Sequence, residues 1–207
     1  MYKYCNQEIY SQALLKFFKR FSPYEIERKC KYPIKSINNL LLTYLEHADY
    51  SYKPTGSIWF NMDVYVVINK DIEFDLPHTL DNIIIMPKKY IGSEYILQHE
   101  LKHIYFRYFK CNLIDKFCND HNIIIIKRTK TPAEITNPDT YYNCGLNCPD
   151  RIIFVVLEWG PVSKYYVYMK HIKKVLPANT AEINYYNKKL PYSQNYHPEE
   201  ILAGFNF

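Results

Sequence analysis

The stretch 83–110, IIIMPKKYIGSEYILQHELKHIYFRYFK, decides how this chain is read. It opens on Ile83-Ile84-Ile85-Met86, an unbroken apolar run closed by Pro87, which predicts a strand. Gly92 ends a turn, and Ser93 is a good N-cap for a helix starting at about Glu94. Glu94 suits the positive end of the helix dipole. No Pro or Gly interrupts Glu94 to Lys110, and Tyr95, Ile96, His99, His103 and Phe106 recur at three- and four-residue spacing. Inside that helix lies His99-Glu100-Leu101-Lys102-His103, an HExxH motif. Residues four apart share a helix face, so two imidazoles can point at one metal ion. Glu100, next to the first of them, can reach a metal-bound water. The pattern is that of a zinc site with Glu as general base.

Zinc needs a third protein ligand and an open position. The longer pattern HExxHxxGxxH would need Gly and His where this chain has Phe106 and Phe109, so it is excluded. The other common solution is a Glu from a distant helix. His197-Pro198-Glu199-Glu200-Ile201-Leu202-Ala203 predicts one, with Pro198 at the first helical position and acidic residues in the first turn. Glu200 is the first choice of ligand, since Ala203 falls on a similar side and a small residue lets helices approach. Glu199 and His197 are its rivals, and dipole complementation alone would also account for the two acids.

Three blocks occur in order: His99 to Arg107, Asn137-Pro138-Asp139-Thr140, and His197-Pro198-Glu199-Glu200-Ile201. Together they resemble the Glu-ligand branch of the zincin superfamily, and more closely the small metallopeptidases of large nucleocytoplasmic DNA viruses. The resemblance runs from Ile83 to the C-terminus. It implies an α+β, zincin-like fold: a mixed or antiparallel sheet packed on the HExxH helix and a C-terminal ligand helix. It implies Zn2+ held by His99, His103 and Glu200, with Glu100 as general base. It implies a protein or peptide substrate, virion or capsid components as partners, and host cytoplasm or the virus particle as location. Two positions depart from the pattern. Phe106 stands where a Gln usually precedes the helix Arg, and Gly204 stands where an acid often orients a zinc-bound His.

Peptide hydrolysis also needs a donor for the tetrahedral oxyanion. Arg107, Tyr185, Tyr186, Tyr196 and His197 are candidates, and Tyr196 and His197 immediately precede the ligand helix. Arg107 has a structural reading as well, since an ion pair with Asp139 would pin the Asn137–Thr140 turn to the zinc helix.

The 207 residues suffice for one substantial core, or a core with a small subdomain. Residues 1–50 predict an N-terminal helical region and 51–207 the zincin-like core. Helices are expected over Gln7–Arg20, from a Ser22-Pro23-Tyr24-Glu25 capping box, over Ser36–His47 and over Asn112–Asn119. Strands are expected in Ser57–Asn69, Ile123–Lys127, Ile152–Trp159 and Lys164–Lys170, the last two joined as a hairpin around Gly160-Pro161. No apolar leader or 18-residue apolar run is present, so neither secretion nor a membrane span is expected. The six Cys are then expected as thiols. Cys144 and Cys148, across an expected Gly-Leu-Asn turn, are candidates for a disulfide in an oxidising particle or for a structural zinc site. Net charge is +5, with basic clusters at Lys127–Lys130 and Lys170–Lys174. These read as solvated charge at strand ends; no helix-turn-helix, RRM or finger signature accompanies them, so a nucleic-acid partner is not expected.

Overall fold

The structure is a computed structural model, and it describes residues 1–18, 37–69, 76–109, 112–126, 143–157, 163–190 and 198–204. Its contacts divide the chain into two compact units, Met1–Tyr105 and Phe106–Phe207.

The first unit holds β1 (Tyr2–Tyr4), α1 (Gln7–Phe18), α2 (Ile37–Glu46), β2 (Ala48–Asp49), β3 (Val64–Asn69), β4 (His78–Leu80), β5 (Ile83–Pro87), a 3-10 turn (Lys88–Tyr90) and helix α3 (Glu94–Phe109), whose last residues pass the division. The five strands form a mixed sheet in the order β1-β3-β5-β4. β1, β3 and β5 run parallel, while β4 is antiparallel to β5. β2 continues the β1 edge of β3, with Asp49 opposite Ile68. A sheet with both faces covered needs apolar side chains in both directions. That is why Ile83-Ile84-Ile85-Met86 does not alternate, and every residue of β5 is buried. Val67, Leu80, Ile83 and Ile85 pack with Tyr10, Leu14 and Phe17 of α1 and Tyr44 of α2. On the other face, Val64, Val66, Ile68, Ile84 and Met86 receive Leu97, Leu101 and Ile104 of α3. Residues 1–50 thus carry two of the three expected helices, and also two strands of this sheet. The capping box at Ser22–Glu25 lies outside the described residues.

The second unit holds α4 (Asn112–Asp120), β6 (Ile123–Ile126), β7 (Asn143–Asn147), β8 (Arg151–Leu157), β9 (Ser163–Met169), β10 (Lys174–Pro177), α5 (Thr180–Lys189) and α6 (Pro198–Gly204). Its sheet is antiparallel throughout, ordered β10-β9-β8-β7-β6. β8 and β9 pair from Arg151–Met169 to Leu157–Ser163, as the expected hairpin requires. Segment 143–147, whose Gly-Leu-Asn suggested a turn, is instead strand β7 between β6 and β8. Pairing on both sides overrides its weak strand propensity. Cys148 follows it as a buried free thiol, and the side chain of Cys144 lies outside the described residues. Lys170 is not solvated charge either. Its Nζ donates to Asn147 Oδ1 at 2.8 Å, to the Cys148 carbonyl at 2.6 Å and to the Pro149 carbonyl at 3.2 Å. The cluster 127–130 lies outside the described residues. Among the described residues, no helix is long and apolar enough to cross a membrane.

Candidate metal centre

Helix α3 carries the site, and its geometry begins with its entry. Gly92 has φ 84°, a left-handed conformation that a side chain would strain. It turns the chain from the 3-10 turn into Ser93, whose Oγ accepts from the Ile96 amide at 3.5 Å. The helix then begins at Glu94, as its sequence predicts. Its core stripe is Leu97, Leu101 and Ile104, spaced four and three apart. Tyr95, which the spacing grouped with the periodic residues, is 70% exposed instead. Trp59 and Phe60 pack at a tilt against Tyr105, with ring centroids 4.3 and 5.6 Å away. This aromatic clasp and the apolar stripe fix the rotation of the helix.

That rotation presents the HExxH side chains along one edge. His99 is half-buried, while Glu100 and His103 are 3% and 2% exposed. The two imidazoles meet edge to face, with Nε2 atoms 3.2 Å apart. The spacing suits a shared ion: two nitrogens bound tetrahedrally to zinc lie about 3.3 Å from each other. Lys102, between them in sequence, has its ammonium pKa lowered by partial burial.

Glu200 lies in the first turn of α6, which starts at Pro198 as expected. Glu200 is half-buried there, on an element of the second unit, while His99 and His103 stand on the first. Ala203 is buried and Gly204 exposed, with open space where a Gly204 side chain would stand. No side chain at 204 therefore orients a histidine.

Arg107 is half-buried on α3. Asp139, Tyr196 and His197 lie outside the described residues, and so does the side chain of Glu199. Tyr186 is fully buried with its ring edge-on to Tyr165 at 5.6 Å, a packing role. Tyr185 is 45% exposed, with the Lys189 ammonium 5.8 Å from its ring. Comparison with protein-family models, curated proteins and solved structures yields no match.

Proposed function

We propose that this chain is a zinc-dependent peptidase of zincin-like architecture that hydrolyses peptide bonds in protein or peptide substrates. The observation that carries the reading is the pair of His99 and His103 Nε2 atoms 3.2 Å apart on one helix, in a chain where Glu100 adjoins the first of them and Glu200 is offered as the third ligand. Two neutral imidazoles and one carboxylate are the donor set of many catalytic zinc sites. Bound there, zinc would lower the pKa of a water to about 7 and polarise the scissile carbonyl.

The chain's own groups do the rest. Glu100, 3% exposed, is held by α3 beside the ligand pair, with little freedom to swing away. Its carboxylate takes the proton of the attacking water as oxygen bonds to the carbonyl carbon. It then passes that proton to the amine as the C–N bond breaks. Arg107, half-buried four residues beyond His103, is a candidate cation for the developing oxyanion, and Tyr196 is a candidate hydroxyl donor from the segment before α6. The virion or capsid partners rest on the sequence resemblance alone.

A second reading, a zincin scaffold without catalysis, is favoured by one feature: Gly204 supplies no carboxylate to orient a ligand. Elemental analysis separates the two, joined to a protease assay. The peptidase reading expects one zinc per chain, strongly weakened in Glu200→Ala. It expects proteolysis abolished in Glu100→Gln with zinc retained. Zinc without proteolysis would favour the scaffold; no zinc in the wild type would sink both the site and the mechanism.

A further inference from the structure

The two histidines are unequally exposed. His103 is 2% exposed, whereas His99, one turn closer to the helix N-terminus, is half-buried. The more open imidazole of the pair is thus the one at the His99 end of α3. Tyr95 stands at that end, one turn before His99 and on the same side of the helix. It is 70% exposed, the largest exposure of any large apolar or aromatic side chain among the described residues. Among those residues no hydrogen bond, ion pair or ring contact engages its side chain. Ile91, four residues earlier, is 44% exposed. A single exposed aromatic on a protein surface is ordinary. One placed a helical turn from the open edge of a candidate metal centre is in the right place to touch whatever binds there.

We infer that Tyr95 is the specificity-determining wall of the site and takes a bulky apolar or aromatic side chain of the bound peptide. The inference rests on the peptidase reading, since it places the substrate by the metal pair. The chemistry is desolvation: a benzyl-sized group laid on the tyrosine ring removes apolar area from both. A tyrosine contributes such area with few rotatable bonds to freeze.

The test uses binding rather than turnover. Zinc-loaded full-length protein is titrated by calorimetry with two small hydroxamates, metal-binding groups that differ only in a benzyl or a methyl side chain. Zinc content is measured on the same samples. The benzyl compound is expected to bind about tenfold tighter, as one modest apolar contact implies. Tyr95→Ala should reduce that preference to within about twofold, and Tyr95→Phe should keep it. The surface position of Tyr95 makes both variants compatible with the fold. Equal binding of the two compounds by wild type, no binding by zinc-loaded protein, or a preference that survives Tyr95→Ala would each overturn the inference while leaving the metal centre standing. A wild type that takes up no zinc would overturn the peptidase reading and this inference together.

Discussion

The two sheets of this protein are held in different ways. The mixed sheet of the first unit is secured by burial: β4 and β5 are buried at every residue, and β3 at all but Tyr65. The antiparallel sheet of the second unit mixes buried and half-exposed residues along β9 and ends in the largely exposed β10. It is fastened at its connections by polar bonds. Lys170 binds three acceptors in the β7–β8 turn, Asn122 Nδ2 donates to the Asn147 carbonyl at 2.8 Å, and Asn179 and Glu182 close a capping box on α5. The Arg151–Glu182 pair at 3.5 Å adds a link between β8 and α5. The lesson is about sensitivity. A sheet covered on both faces is injured by lost volume, and a sheet stitched at its turns is injured by lost hydrogen bonds.

The largest expected effect tests the first half of that contrast. Ile84 is fully buried between Val66 and Thr79, under α3. Ile84→Ala should cost about 3–4 kcal/mol through lost burial and the cavity left behind. Hydrogen exchange resolved by segment would read it across 64–87; a cost below about 1 kcal/mol would break the comparison.

Alkaline titration comes next. Burial pushes the Cys5 thiol up to about 11 and the Tyr50 phenol up to about 12. Both folded values lie above the unfolded ones, so the folded state holds these protons longer. The stability they carry is intact below pH 9 and is lost as pH rises through about 11. For Cys5 the loss is up to about 2–3 kcal/mol. Denaturant midpoints measured from pH 8 upward should fall, and Cys5→Ala should flatten the early part of the fall. Cys5→Ala with an unchanged slope would remove the thiol from the account.

Two smaller changes probe the second unit. Lys170→Met keeps the apolar stem but removes the donor to three acceptors, and should cost about 1–2 kcal/mol. Faster amide exchange should appear around 147–151 and not in the first unit. Asn179→Ala opens the capping box of α5 and should cost about 1 kcal/mol, read as earlier fraying of α5. If both substitutions were silent, the second sheet would owe its cohesion to burial after all.

The sequence made the strand-turn-helix segment from Ile83 to Phe109 legible because each of its signals is local: an apolar run, a glycine at positive φ, a serine cap, an uninterrupted helix. The candidate ligands were legible for the same reason, His99 and His103 by spacing and Glu200 by a proline-initiated helix. What was hidden depends on partners far along the chain. β1 is three residues of Tyr-Lys-Tyr, a strand only because Val64–Val66 lies beside it. β7 reads as a turn until β6 and β8 flank it. The rotation of α3 was ambiguous because tyrosines satisfy an apolar pattern as well as leucines do; the sheet chooses Leu97, Leu101 and Ile104 and leaves Tyr95 outside. A stricter count of aliphatic residues alone would have found that stripe.

The parallel alignment of β1 with β3, and of β3 with β5, also sets an order of events during synthesis. Tyr2 is made long before its partner Val64 and the strand ending at Pro87. At about 5–20 residues per second, roughly 4–17 seconds separate the two ends of this sheet on a ribosome. Only non-local pairing can close it, and such closure is intrinsically slow. Helix α3 follows directly. The segment bearing the histidines thus leaves the ribosome when the surface it must settle on has just become complete.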